Sequence, residues 1–319
     1  MVQLLESFRS DNVCQWMADH IEVPVLIVGL YMVMVLYIPD AYMKNREPFN
    51  LRQLNMAWNL LLTVFSICGT YYCLPQLYRT IFVPEFTVHD YTNGGHIQWK
   101  GGVYNAFCYW NKNIFYDGPV GAFLCLFVLS KIPEMLDTAF LVFQKKRVRF
   151  LHWFHHMTTM LYCWHSYAMN ISGALVFAGM NYAMHSIMYF YYFICSCGYR
   201  KYVRPSAPVI TFLQIAQMVV GMTVQAVTLY VLGFTNRRCD SNAANARLGF
   251  MMYLSYFILF SKLFYDSYLK PAPPHSAAAK HNDATAVPNG EPAALQEARE
   301  REAAAEEAAT ETRPQSKHS

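Results

Sequence analysis

Seven stretches of this chain, at about 22–39, 56–82, 118–143, 151–169, 172–197, 206–234 and 247–269, approach the ~20 mostly apolar residues that an α-helix needs to cross a bilayer. Hydrocarbon offers no partner for a backbone amide, so only structures that satisfy their own amides can span it. Charged residues are 14% of the chain and hydrophobic ones 55%, where soluble domains carry about a quarter charged. The expected fold class is all-α, a polytopic membrane protein with seven transmembrane helices. The first residues, MVQLLESFRSDNVCQW, are mixed in character and have neither a basic start nor a small-residue cleavage site. Insertion is therefore expected to begin with the first spanning helix.

The connections sort by charge. Loop 40–55 holds Lys44, Arg46 and Arg52; loop 144–150 holds Lys145, Lys146, Arg147 and Arg149; loop 198–205 holds Arg200, Lys201 and Arg204. Alternate loops rich in Lys and Arg face the cytosol. Residues 1–21 and the loops at 83–117 and 235–246 are then lumenal, with Arg237 and Arg238 running against the rule. Cys108 and Cys239 fall one in each of those two loops, and an oxidising lumen would let them pair. The other cysteines show no zinc spacing. After residue 270 the chain turns Pro-, Ala- and Glu-rich, so 271–319 is expected to be a disordered cytosolic tail on a membrane domain of 22–270.

Several spans carry polar residues that lipid would not tolerate, which points to a polar interior. The sharpest case is FLHWFHH at 150–156. At helical spacing His152, His155 and His156 share one face, continued by Thr159 and Cys163. Satisfied core histidines explain one such residue more readily than three. The preceding span carries KIPEMLDTAF, with Lys131, Glu134, Asp137 and Thr138 within two turns; a cluster snorkelling to the membrane surface is the plain alternative for Lys131. Asn181, His185, Met188, Tyr189 and Tyr192 form a further stripe, and Thr211, Gln214 and Gln217 another, where interhelical hydrogen bonding is an equal reading.

An HxxHH box also occurs in membrane di-iron desaturases and hydroxylases, but those need roughly eight histidines. Within the spans there are only His152, His155, His156, His165 and His185, which leaves a single zinc conceivable and two irons undersupplied. Without a metal, a neutral imidazole is a nucleophile or general base near pH 7, and acyl transfer from a thioester follows. A seven-helix transporter or receptor, with the polar stripe as a path or pocket, stays open beside these enzymes.

The motifs KxxExxDT at 131–138, HxxHH at 152–156, NxxxHxxMYxYY at 181–192, TxxQxxQ at 211–217 and LFSKLFY at 259–265, in that order, resemble the ELO family of very-long-chain fatty acid elongases over roughly residues 20–270. The wording FLHWFHH is most similar to members that extend saturated and monounsaturated chains. The resemblance implies a multi-pass protein of the endoplasmic reticulum with its N-terminus lumenal and C-terminus cytosolic. Six of its helices would surround an acyl tunnel closed at the lumenal end. It implies condensation of acyl-CoA with malonyl-CoA to 3-oxoacyl-CoA, CO2 and CoA by a ping-pong route, with no metal and no cofactor. His155 would take the acyl group, with His185 as a second catalytic imidazole. His152 and His156 would orient the site or handle protons, Glu134 and Asp137 would fix tautomers, and Asn181 and Gln214 would donate to oxyanion charge. Gln217 and Tyr189 are placed with Gln214 on the substrate side. Lys131, Lys145, Arg147 and Arg204 would meet CoA phosphates. Trp164, Tyr167 or Met169 would floor the tunnel. The expected partners are the bilayer, the other enzymes of the elongation cycle and a second copy in a homodimer; no nucleic acid is expected.

Overall fold

The computed structural model describes residues 2–91 and 93–270, and the expected tail at 271–319 lies outside the described residues. The chain is mostly helical. Its longer helices are α1 (Asp11–Asp19), α2 (Glu22–Leu36), α3 (Arg52–Phe82), α4 (Gly118–Ser130), α5 (Leu136–Phe143), α6 (Phe150–Ala168), α7 (Ala174–Ile194), α8 (Ala207–Phe234) and α9 (Ala243–Phe264). Each apolar window of the sequence therefore falls on a helix. Four stretches are long and apolar enough to cross a membrane: Arg52–Phe82, Gly118–Phe143, Ala174–Phe234 and Ala243–Leu269. The pair α1 and α2, bent by 64°, makes a fifth if counted as one. Helix α6 is not among them, because four histidines dilute its apolar character.

A short 3-10 turn, Pro133–Met135, separates α4 from α5 inside one apolar stretch. Proline cannot donate to the helix ladder, and the break turns Lys131 and Glu134 toward each other across three residues. Helix α3 lies along α7 so closely that a Cβ on Gly69 would sit 2.3 Å from the Tyr182 ring. The Tyr182 hydroxyl in turn donates to the Phe123 carbonyl of α4 at 2.8 Å, joining three helices. Helix α9 starts at Asn242, whose side chain accepts from the amides of Ala244 and Asn245, as an N-cap does.

The end away from the basic loops is covered by structure that the sequence presents only as loop. Strands β1 (Glu85–His89) and β2 (His96–Lys100) form an antiparallel hairpin with Glu85 opposite Lys100 and His89 opposite His96. Cys108 and Cys239 are joined in a disulfide. Around it the Asp240 amide donates to the Cys108 carbonyl at 2.6 Å, and the Trp110 amide donates to the Asp240 carboxylate at 3.1 Å. The N-terminal residues pack on this same end: Arg9 donates to the Tyr91 carbonyl, Lys112 pairs with Asp11, and Trp164 Nε1 donates to the Met17 carbonyl at 2.9 Å.

Candidate active site

At the basic-loop end the helices part around one cavity. Helix α6 contributes His152, His155 and His156; α7 contributes Asn181, His185 and Tyr189; α8 contributes Thr211, Gln214 and Gln217. Asp137 of α5, Asn55 and Asn59 of α3, and Phe260 and Leu263 of α9 complete the wall, and Arg147 and Arg149 line it from the loop before α6. Residues from five motifs spread over some 130 positions thus meet in one place. Helical periodicity explains how: each stripe puts its polar side chains on one face, and bundle packing turns those faces inward.

One wall is built around a buried charge pair. Lys131 is 4% exposed, and its ammonium lies 2.8 and 2.9 Å from the two Glu134 oxygens and 4.4 Å from the Phe127 ring centroid. Ser130 donates a further 2.7 Å bond to Glu134, and Lys131 donates at 3.1 Å to Asn181 Oδ1. An ammonium can only donate, so the Asn181 oxygen must face it and the amide nitrogen must face the other way. That nitrogen lies 3.2 Å from His185 Nε2, so Nε2 accepts and the ring proton sits on Nδ1. His185 Nδ1 then faces Glu134 at 3.9 Å, closing a ring of four side chains. Lys131 is not among the residues that line the cavity; its ammonium is held by Glu134 and Asn181.

Next to this ring, both oxygens of Asp137 are taken: Trp58 Nε1 donates at 2.7 Å and the Tyr189 hydroxyl at 2.9 Å. On α6 the His155 ring packs against Tyr256, with centroids 4.6 Å apart, and His152 and His156 lie 4.7 Å apart. His152 Nε2 is buried without a hydrogen-bond partner among the described residues. Gln214 donates to the Met188 sulfur at 3.2 Å. Among the described residues, no three His, Cys, Asp or Glu side chains converge as a metal site would require.

The remaining basic residues divide. Arg147 lines the cavity, whereas Lys145 is turned to the Lys44 carbonyl at 3.1 Å, and Arg204 is exposed away from the cavity walls. A second, smaller cavity lies two to three turns further along α6, walled by Phe127, Tyr162, Cys163, Tyr167 and Phe177 among others. Of the three expected floor residues only Tyr167 lines it. Trp164 is turned outward to Met17, and Met169, at 47% exposure, lies past the helix end.

Trp58, Ser130, Arg149 and Tyr256 belong to the site without having been singled out in the sequence. Arg149 stood in the basic loop and Ser130 beside the lysine motif, so position alone offered a signal. For Tyr256, in the run MMYLSYFILF, nothing distinguishes a functional hydroxyl from a packed one.

Comparison with known proteins gives the family. The ELO: GNS1/SUR4 family matches residues 16–276, and the chain belongs to it. It is 53% identical over 270 residues to "Fatty acid elongase 3" of Trypanosoma cruzi (strain CL Brener), covering 83% of this chain and 90% of that protein. It is 47% identical over 283 residues to "Fatty acid elongase 3" of Trypanosoma brucei brucei (strain 927/4 GUTat10.1), covering 86% and 94%. A "Very long chain fatty acid elongase 4" of T. cruzi is 42% identical over 273 residues, with 86% and 89% covered.

Proposed function

We propose that this protein is a fatty acid elongase that carries out the condensing step: acyl-CoA, malonyl-CoA and a proton give 3-oxoacyl-CoA, CO2 and CoA. The acyl group is carried on His155. Its imidazole attacks the thioester carbonyl, the carbon–sulfur bond breaks, and CoA leaves as the thiolate, which takes up the proton of the overall reaction to become the thiol. Malonyl-CoA then loses CO2, and the resulting carbanion takes the acyl group from the imidazole, restoring the histidine. The observation that carries this reading is the pair of imidazoles, His155 and His185, set on neighbouring helices of one cavity with a basic mouth at Arg147 and Arg149. Asn181 and Gln214 line the same cavity, and in this reading they donate to the carbonyl oxygen as it acquires charge, the use of preorganised donors. Lys131 and Glu134 serve by holding His185 and Asn181, and phosphate contact falls to Arg147 with Arg149.

The same reading places the acyl chain in the smaller apolar cavity along α6, as a tunnel through the bundle. It also takes the fold as seven crossings. Ala174–Phe234 has 61 residues, which at about 1.5 Å each is three times the hydrocarbon thickness, so α7 and α8 cross separately around Gly198 at φ +96°. Residues 1–21, the hairpin and the disulfide lie at the lumenal face of the endoplasmic reticulum, and the basic loops face the cytosol. The enzymes that reduce and dehydrate the product, and a second copy of the chain, are the proposed neighbours.

The test is mass spectrometry of products from membranes containing the protein, given saturated acyl-CoAs of graded length, malonyl-CoA and excess chelator without oxygen. Two-carbon-longer 3-oxoacyl-CoA is expected. Products that appear only when iron and oxygen are returned, or substrate that stays unchanged, would contradict condensation.

A further inference from the structure

A line of hydroxyls runs away from His155. Its Nδ1 lies 3.5 Å from Thr159 Oγ1; Thr159 Oγ1 lies 2.8 Å from the Tyr256 hydroxyl; that hydroxyl lies 2.5 Å from Thr158 Oγ1; and Thr158 donates at 2.7 Å to the Phe154 carbonyl. The line has four contacts and three hydroxyls, each with one proton to give. It ends on a carbonyl, which can only accept. The pattern that fills all four contacts points every bond toward Phe154: Thr158 gives its proton to the carbonyl, Tyr256 gives its own to Thr158, and Thr159 gives its own to Tyr256. The fourth proton can come only from the imidazole. The longer contact from Tyr256 to the His155 carbonyl, 3.2 Å, competes with Thr158 for the tyrosine's single proton, and the shorter bond to Thr158 takes it.

We infer that Thr159, Tyr256 and Thr158 hold His155 as its Nδ1–H tautomer, making Nε2 the nitrogen that carries the acyl group. Tyr256, on α9, is then a positioning residue that acts through Thr159, and its ring, tilted 60° to the imidazole with centroids 4.6 Å apart, limits the imidazole's rotation. This rests on the condensation reading and adds to it a direction of attack. It also assigns the charge of the intermediate. Attack by Nε2 forms the N–C bond and expels the thiolate, leaving an acyl-imidazolium that still holds its Nδ1 proton, because a chain ending on a carbonyl has no site to receive it. Such a cation is a better acyl donor than a neutral acyl-imidazole, and when the carbanion takes the acyl group the neutral Nδ1–H ring is restored. His185 is the counterpart: the same tautomer, with Nε2 already engaged by Asn181.

The experiment compares Thr159→Val, Thr159→Ser and Tyr256→Phe in the full-length protein, by 15N NMR of labelled histidine and by the rate of acyl-adduct formation. The wild type should show His155 protonated on Nδ1. Valine should move the population toward Nε2–H and slow adduct formation about five- to tenfold, the scale of one hydrogen bond, at unchanged KM, and serine should restore both. Tyr256→Phe should give an intermediate loss. His155 found as Nε2–H in the wild type, or valine and serine behaving alike, overturns the inference. The NMR arm needs no turnover: a wild type with the Nδ1–H signature that forms no adduct would sink the condensation reading and leave the tautomer assignment standing.

Discussion

His155 and His185 face one cavity from neighbouring helices, yet the surroundings of the two rings differ in kind. His185 sits in a closed circuit of charge, with Lys131, Glu134 and Asn181 each holding the next, and its Nε2 is capped. His155 is held from behind by neutral hydroxyls and a tyrosine ring. A buried ion pair is an expensive way to build a wall, since desolvation offsets most of the Coulomb gain. Its value lies in geometry: an ammonium that only donates fixes the Asn181 amide, and the amide fixes the imidazole. Hydroxyls fix a ring as well, but bring no charge near a nitrogen that must itself become charged. The difference separates a ring that is kept in place from one that reacts.

The largest expected effect comes from exchanging the two rings' fates. His155→Ala should lower product formation at least ~10³-fold and abolish the acyl adduct. His185→Ala should slow turnover about 10²-fold but still accumulate adduct from acyl-CoA alone. Adduct loss in both variants would erase the distinction. The charged wall is tested next through stability in detergent. Lys131→Met strands the Glu134 carboxylate and should cost about 3–5 kcal/mol. Adding Glu134→Gln should recover most of that stability, while activity stays low because Asn181 has lost the donor that orients it. Recovery of activity along with stability would make the pair a packing device only.

Smaller effects lie at the ends of the bundle. Cys108→Ser should lower stability by about 2–4 kcal/mol with activity at low temperature retained, since neither Cys108 nor Cys239 lines the cavity. Arg147→Ala should raise KM for CoA thioesters about tenfold with little change in kcat. The same variant should not distinguish a pantetheine thioester, which lacks the nucleotide phosphates. An equal loss on both substrates would move phosphate contact away from this side chain.

Much of this site was legible in the sequence because helices translate spacing into faces. Three histidines at i, i+3 and i+4, and the stripes at 181–192 and 211–217, each predict a shared side, and the fold brings those sides to one cavity, joined from the stripe at 131–138 by Asp137. What the sequence hides is the partner on a distant element. For Lys131 a snorkelling cluster was the plain alternative; its burial against Glu134 and Asn181, the latter fifty residues on, is what the structure adds. Tyr256 lies about a hundred residues from the threonines it joins. The hairpin at 85–100 escaped notice for a different reason: its alternation is short and sits among loop residues. Of the three residues expected at a tunnel floor, only Tyr167 lines the smaller cavity, because burial alone does not say which way a side chain points. Trp164 is as buried as Tyr167, yet its indole reaches Met17 while the tyrosine lines the cavity.

The most direct measurement is to incubate the protein with a saturated acyl-CoA in the absence of malonyl-CoA, quench, and locate the added acyl mass by peptide mass spectrometry. The account predicts one acyl group per chain, on the peptide containing His155, discharged when malonyl-CoA is added. An acyl group on the His185 peptide, or condensation proceeding with no adduct on either histidine, would contradict it.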